Sequence, residues 1–135
     1  MVQPAFHSLP GNGFQFLTTR LLHHPHRIVN RTRWIEPLAA VRARAKAVAA
    51  AVGEGARVIA SVASVGGGSL PGSEIASAAV TIAAADAEGL AERLRTGRPA
   101  VLARIDGDAV ILDARTVADG DVETLARAVR RARDA

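Results

Sequence analysis

The sequence predicts an α+β domain of two layers, with about four strands in a small sheet and helices on one face. Apolar residues recur at helical spacing in two stretches, near residues 36–52 and after residue 119. Between them lie short runs rich in Val and Ile, bounded by Gly and Pro as strands commonly are. The pair Asp106-Gly107 is typical of a tight hairpin, so at least one strand pair should be antiparallel.

The first predicted helix covers about residues 36–52. Its apolar residues recur at steps of three and four, while the basic residues Arg42, Arg44 and Lys46 lie off that stripe. Gly53 follows the last apolar residue and is a common helix end. The pattern therefore indicates one amphipathic helix at about 36–52.

A predicted strand and a glycine cluster follow this helix. The β-branched run at 57–62 indicates a strand that leads into the cluster at 65–72, Val-Gly-Gly-Gly-Ser-Leu-Pro-Gly. Capping Asp and terminating Gly residues set the bounds of the later helices. The elements predicted after the cluster are a strand at 78–82, a helix from Asp86 to Gly97, strands at 100–105 and 109–113, and a last helix from Asp119 or Asp121.

Composition divides the chain near residue 35. Residues 1–50 hold seven basic residues and one acidic residue, whereas residues 51–135 hold ten basic and twelve acidic residues. Every aromatic residue and every His lies before residue 35. We therefore expect an irregular or disordered arm at 1–35 and a packed domain at 36–135. An out-of-frame start would also account for the change in composition near residue 35. Residues 51–135 are net acidic and contain no aromatic residue, which disfavours an RNA-binding domain.

The absence of Cys, the length of the apolar stretches and the spacing of the His residues limit the chemistry and the cellular location we expect for the protein. The chain has no Cys, which excludes disulfides and thiolate catalysis and agrees with a cytoplasmic protein. No apolar stretch reaches the length of a membrane span, so we expect no membrane partner. His23, His24 and His26 do not match the spacing of zinc sites, so no metal is expected.

The glycine cluster is the candidate ligand site. Gly66, Gly67 and Gly68 can present successive backbone N–H groups to an anion, and Ser64 precedes them. The cluster is neither a Walker loop nor a dinucleotide fingerprint, because no Lys-Ser or Lys-Thr pair follows and Pro71 takes the place of the last glycine. The alternative is a tight connection that binds nothing.

Four blocks together resemble the C-terminal domain of the bacterial selenocysteine synthases, the L-seryl-tRNA(Sec) selenium transferases. They are the glycine cluster, Leu-Arg-Thr-Gly-Arg-Pro at 94–99, Ala-Arg-Ile at 103–105 and Leu-Asp-Ala-Arg-Thr-Val at 112–117. The resemblance covers about residue 36 to the end. It departs from the family pattern at Ile75-Ala76-Ser77, where Leu-Pro-Ser is usual, and at Ala114, where a longer aliphatic side chain is usual.

The resemblance implies the small-domain fold of fold-type-I pyridoxal-phosphate enzymes and a homo-oligomer. The family replaces the seryl hydroxyl of seryl-tRNA(Sec) with selenium from selenophosphate, and a lysine holds its cofactor as a Schiff base. Lys46 is the only lysine here, and it does not occupy the family's Schiff-base motif. We therefore expect a truncated or frameshifted C-terminal part that is inactive alone and binds no pyridoxal phosphate covalently.

The resemblance also implies a substrate contact for Arg115. In related pyridoxal-phosphate enzymes, an arginine between a strand and the last helix binds the substrate carboxylate through two parallel donors. Arg115 has that place in the predicted order, and Ser64 with Gly66–Gly68 would line the same cleft. Pairing of Arg115 with Asp113 or with nearby carbonyls is the structural alternative. The alternative function is a stand-alone binding or oligomerisation module with an anion-binding glycine loop.

Overall fold

The computed structural model describes residues 36–64 and 74–135. The predicted arm at 1–35, including its His residues, and the glycine cluster with Gly66, Gly67 and Gly68 lie outside the described residues. The described elements are α1 (Leu38–Val52), β1 (Ala56–Ser64), β2 (Glu74–Ala83), α2 (Ala87–Thr96), β3 (Arg104–Asp106), β4 (Ala109–Asp113), two 3₁₀ turns (Ala114–Thr116 and Asp119–Asp121) and α3 (Val122–Asp134).

The sheet confirms the predicted α+β class. Its four strands lie in the order β1-β2-β4-β3, and every neighbouring pair is antiparallel. β1 and β2 pair along their whole length, from Ala56 opposite Ile82 to Ser64 opposite Glu74. The glycine cluster therefore connects two strands that are neighbours in the sheet.

The core lies between one face of the sheet and the three helices. Side chains alternate along β2, so Ala78, Val80 and Ile82 point to the same face, and all three are buried in the cluster that also contains the helix side chains. The helices contribute apolar residues at helical spacing, which explains why the periodicity in the sequence predicted them. Their largest fully buried side chains are Val41 and Val48 of α1, Leu90 and Leu94 of α2, and Leu125 and Val129 of α3.

The turn and cap predictions agree with the structure at two positions. Gly107 has φ +58°, a conformation that suits glycine in the tight turn between β3 and β4. The Asp86 carboxylate accepts a hydrogen bond of 2.9 Å from the Gly89 N–H, which caps α2 as the sequence indicates. Both predictions are correct because a tight Asp-Gly turn and a capping Asp each require one specific backbone geometry.

The predicted strand at 100–105 is wrong for most of its length. Only Arg104–Asp106 forms β3, paired with the first three residues of β4. The Val101 N–H instead donates to the Leu94 carbonyl of α2 at 2.8 Å, and the Val101 side chain is fully buried. This segment returns to the preceding helix, because Val101 is buried there and its backbone N–H is satisfied by the Leu94 carbonyl.

The sheet face opposite the helices is also partly buried. Ser77 and Ala79 alternate with the core residues of β2, and Asp113 lies opposite Ala79 in the β2–β4 register. All three are buried. A polar pair, Ser77 and Asp113, is therefore held on this second face, next to the turn that carries Arg115.

Among the described residues, no helix combines the length and the apolar character needed to cross a membrane.

Candidate functional site

Arg115 lies in the 3₁₀ turn after β4 and is almost completely buried, at 2% exposure. Its guanidinium donates to the Glu36 carbonyl at 3.1 Å and to the Ala76 carbonyl at 2.8 Å. These bonds connect Glu36, two residues before α1 begins, to β2, the strand that follows the glycine cluster. They are of the kind that the structural alternative describes, and a substrate contact by Arg115 stays a prediction.

Asp113 shapes the turn that carries Arg115. One oxygen of its carboxylate accepts from the Arg115 backbone N–H at 2.9 Å and from the Ser77 hydroxyl at 3.1 Å. The Asp113 carbonyl accepts from the Thr116 hydroxyl at 2.8 Å. A carboxylate that bonds a backbone N–H two residues ahead favours a tight turn, so the position of Arg115 follows from the local sequence Asp-Ala-Arg-Thr.

The Asp113 carboxyl is costly to ionise. Burial raises the pKa of Asp113, because the charged form loses its hydration. The hydrogen bonds from Arg115 and Ser77 act in the opposite direction, as do the positive charges of Arg115 and Arg104, but the pKa remains above its usual value. The cost of burying the charged Asp113 carboxylate is therefore only partly offset by its interactions with Arg115, Ser77 and Arg104.

Arg44 of α1 is a second buried arginine, although it lies off the apolar stripe in the sequence. It is 6% exposed and donates from Nε to Asp119 at 2.7 Å. One terminal nitrogen donates to the second Glu36 oxygen at 3.0 Å and to the Ala114 carbonyl at 3.1 Å, and the other donates to the first Glu36 oxygen. The off-stripe position of Arg44 carried no signal of burial, because two of its three partners, Asp119 and Ala114, come from distant parts of the chain.

The charges around Arg44 hold it in its protonated form. Burial by itself would lower the pKa of Arg44. The hydrogen bonds and negative charges of Glu36 and Asp119 outweigh burial, and the pKa is raised. The Glu36 side chain is 19% exposed and that of Asp119 is 85% exposed, so the Glu36 pair is the more strongly desolvated one.

The two arginines act on the same junction, which we call the arginine clamp: Arg44, Arg115, Glu36 and Ala114. Arg44 binds the side chain of Glu36, while Arg115 binds its main-chain carbonyl. Arg44 also binds the carbonyl of Ala114, the residue before Arg115. The clamp therefore fixes the entry into α1 against the connection between β4 and α3.

An open groove of about 460 Å³ lies beside the clamp. Ala40, Ala43 and Ala47 of α1 form one part of its lining, and Val122 at the start of α3 contributes to another. Arg44, Glu36 and Asp119 supply its polar lining. Two carboxylates and one guanidinium leave this groove with a net negative charge, which disfavours an anionic ligand.

Of the other predicted site residues, Ser64 lies at one end of the sheet. Ser64 is the last residue of β1 and pairs through its backbone with Glu74, the first residue of β2. Its side chain and the residues Gly66, Gly67 and Gly68 are outside what the structure describes. Arg115 reaches β2 at Ala76, two residues after Glu74, so the described contacts place it close to the strand that follows the cluster.

The chain's own residues do not fit covalent attachment of pyridoxal phosphate. A Schiff base needs a lysine, usually one whose amine is desolvated or beside another cation. Lys46 is the only lysine in the sequence and is exposed on α1. Arg42, one turn before it, is exposed as well, so solvent screens its charge, and the other residues one turn away are Ala43, Ala49 and Ala50. No reaction step through this cofactor is therefore assigned to these residues.

Comparison with known proteins gives a family match over most of the chain. The family model described as SelA: L-seryl-tRNA selenium transferase matches residues 18–118. This range includes residues 18–35, so the similarity extends further toward the N-terminus than the resemblance noted in the sequence, which covers about residue 36 to the end. The match does not favour the alternative of a stand-alone module.

Curated relatives agree with the family match. The L-seryl-tRNA(Sec) selenium transferase of Moorella thermoacetica is 38% identical over 127 residues, which cover 85% of this chain and 27% of that protein. The protein of the same name from Hyphomonas neptunium is 36% identical over 119 residues, covering 83% of this chain and 26% of that protein. The chain thus spans about a quarter of the length of the relatives it matches. On this similarity and the family match, the chain belongs to the L-seryl-tRNA selenium transferase family.

Proposed function

We propose that this chain is the C-terminal part of an L-seryl-tRNA(Sec) selenium transferase. The complete enzyme would convert seryl-tRNA(Sec) to selenocysteinyl-tRNA(Sec) with selenophosphate as the selenium donor. The observation that carries the proposal is the family match over residues 18–118, supported by relatives that bear this name. The α+β fold with a glycine-rich connection between its two longest strands is consistent with it.

The proposed contribution of this chain is one wall of the active site. Arg115 would act there as a positioning residue, because its bonds to the Ala76 and Glu36 carbonyls restrain the strand after the glycine cluster. Gly66, Gly67 and Gly68 would offer backbone N–H groups to an anionic part of the substrate or of the selenium donor. Ser64 would lie at the edge of the same wall. Besides positioning the strand, Arg115 would also contact the substrate directly.

The cofactor and the partners are part of the proposal. Pyridoxal phosphate would supply an electron sink in the complete enzyme, anchored by a lysine outside this chain. Because Lys46 is exposed on α1, the 135-residue chain would be inactive alone. The complete enzyme would be a cytoplasmic homo-oligomer that binds tRNA(Sec).

A chimeric enzyme tests the proposal. The segment of the Moorella thermoacetica transferase that matches this chain would be replaced by the corresponding residues of this chain, and selenocysteinyl-tRNA(Sec) formation would be measured. We expect a folded chimera with activity within about tenfold of the parent, because the replaced segments are 38% identical. A chimera that folds and binds the cofactor but forms no product contradicts the proposal.

A pair of substitutions in the chimera tests the role of Arg115. Arg115→Met removes both carbonyl contacts, whereas Arg127→Met removes an exposed arginine of α3 as a matched control. We expect the first to reduce kcat/KM at least tenfold and the second to leave it unchanged. Arg115→Lys keeps the charge but loses the two-donor geometry, so recovery of activity by lysine would contradict a role that depends on that geometry.

A further inference from the structure

Arg115 is attached to β2 through both its side chain and its backbone. Its guanidinium donates to the Ala76 carbonyl at 2.8 Å. Its backbone N–H donates to a carboxylate oxygen of Asp113 at 2.9 Å, and the same oxygen accepts from the Ser77 hydroxyl at 3.1 Å. Because Ala76 and Ser77 are consecutive in β2, these bonds close a hydrogen-bonded ring, which we call the Arg115 ring: Ala76, Ser77, Asp113 and Arg115.

The ring begins where the pairing between β2 and β4 ends. The described register of these two strands ends with Ala79 opposite Asp113, and Ser77 lies two residues before Ala79 in β2. Beyond that last pair, the bonds of the ring connect β2 to the turn that carries Arg115. The arginine clamp holds the same turn against the entry into α1, whereas the ring holds it against β2.

The burial of the ring is better explained by positioning than by stability. Ser77 is 2% exposed and Asp113 is 7% exposed, and Asp113 is the only buried acidic residue in the described part of the chain. Burial raises the pKa of Asp113, so its charged form is costly at this position. Buried charged groups are weak evidence for stability, and ionisable groups with a shifted pKa are common at functional sites.

We propose that Ser77 and Asp113 are positioning residues for Arg115 in the transferase reaction. Asp113 holds the backbone of Arg115, and Ser77 holds the carboxylate of Asp113. Neither side chain is assigned a contact with substrate or with the reacting atoms, because both act through Arg115. This inference rests on the proposed function of Arg115 and adds the two side chains on which its position depends.

The ring fixes Arg115 relative to the strand that follows the glycine cluster. Ala76 and Ser77 are the third and fourth residues of that strand. Without the Ser77 bond, the Asp113 carboxylate can rotate away from the Arg115 N–H, and the turn loses one of its bonds to β2. Displacing a positioning group by about 1 Å can cost up to about 100-fold in rate, so loss of the ring should be measurable as activity.

Two serine substitutions test the ring and leave Arg115 in place. Ser77→Ala removes the donor to Asp113. Ser61→Ala is the matched control, because Ser61 lies directly opposite Ser77 on β1 and its hydroxyl has no hydrogen-bond partner among the described residues. In the chimera, we expect Ser77→Ala to lower kcat/KM about fivefold and Ser61→Ala to leave it unchanged. Equal kcat/KM in these two variants overturns the proposal.

A double-mutant cycle shows whether Ser77 acts through Arg115. We would measure kcat/KM for Ser77→Ala, for Arg115→Met and for the double variant in the chimera. We expect Ser77→Ala to have no further effect once Arg115 is replaced, because the residue that it positions is gone. A merely structural role of Ser77 would lower kcat/KM by the same factor in both backgrounds, and that result overturns the proposal.

A conservative substitution tests Asp113 as a hydrogen-bond acceptor. Asp113→Asn keeps an oxygen that can accept from Arg115 and Ser77, whereas Asp113→Ala removes it. We expect kcat/KM within about threefold of the parent for Asn and a decrease of about tenfold or more for Ala. Equal decreases in two variants that circular dichroism shows to be folded contradict the proposal. Should Asp113→Ala fail to fold, the cycle with Ser77→Ala decides.

Hydrogen exchange in the 135-residue chain separates this inference from the proposed function. The Arg115 backbone amide should exchange about tenfold faster in Ser77→Ala than in Ser61→Ala, because its acceptor is no longer held in place. An inactive chimera together with this difference contradicts the proposed function and supports the ring. An active chimera together with equal exchange of the Arg115 amide in both variants overturns the ring and supports the function.

Discussion

Replacing Arg44 with methionine tests whether the arginine clamp stabilises the domain. Arg44 is buried, and its side chain donates to Glu36, Asp119 and the Ala114 carbonyl. Methionine has a similar length but no donors, so the substitution leaves the Glu36 carboxylate and the Ala114 carbonyl without this partner. The expected effect is a large loss of stability with little loss of apolar packing.

The magnitude follows from the exposure of each partner. Breaking a buried ion pair by removing one member costs roughly 3–5 kcal/mol. The Asp119 side chain is 85% exposed, so that part of the interaction contributes little. The Glu36 side chain is 19% exposed and regains some hydration when Arg44 is removed. We therefore expect the low end of the range, a decrease of about 3 kcal/mol in the free energy of unfolding.

Urea unfolding followed by circular dichroism at pH 7 measures this decrease. The double variant Arg44→Met/Glu36→Gln serves as the control, because it removes the unpaired charge along with its partner. We expect the double variant to recover part of the lost stability. A decrease below about 1 kcal/mol for Arg44→Met would refute the reasoning, since it would place this pair among ordinary surface ion pairs.

Three further predictions concern stability. Asp119→Ala should cost under about 1 kcal/mol in urea unfolding, because the lost carboxylate is exposed; a cost near that of Arg44→Met would contradict this. The pKa of Asp113 is raised, so the folded state binds more protons than the unfolded state, and stability should decline as pH rises above about 3.9. In Asp113→Asn, the part of this decline that comes from Asp113 should be absent. The free energy of unfolding would be measured in urea at several pH values for both proteins, and the same dependence on pH in both would contradict the prediction. Gly97→Ala should lower the melting temperature, because the new Cβ would lie 2.9 Å from the Arg93 carbonyl, whereas Gly120→Ala should have no such effect because its Cβ meets nothing within 4 Å.

The fold could be predicted from the sequence where local patterns and tertiary structure agree. The apolar stripe of α1, the Asp86 cap and the Asp106-Gly107 hairpin each impose one local geometry, and the structure contains all three. The segment before β3 could not be predicted in this way. Val101 is of a residue type common in strands, but its N–H donates to the Leu94 carbonyl of α2 because the side chain is buried against that helix.

The candidate site was less predictable than the fold. Arg115 was identified through its place between a strand and the last helix, and its carbonyl contacts match the structural alternative. Arg44 was missed, because a basic residue beside an apolar stripe is usually solvated and its partners lie up to 75 residues away in sequence. Gly66, Gly67 and Gly68 lie outside the described residues, so their predicted role as anion ligands stays a prediction.

We propose that this chain would supply a wall of a selenium transferase active site and no anchor for the cofactor. The most direct measurement is the intact mass of the 135-residue chain after incubation with pyridoxal phosphate and reduction with borohydride. We expect at most trace, non-saturating modification of the exposed Lys46, equal to that of the chain in urea. A saturable adduct of one pyridoxyl group per folded chain, absent in urea, would contradict it.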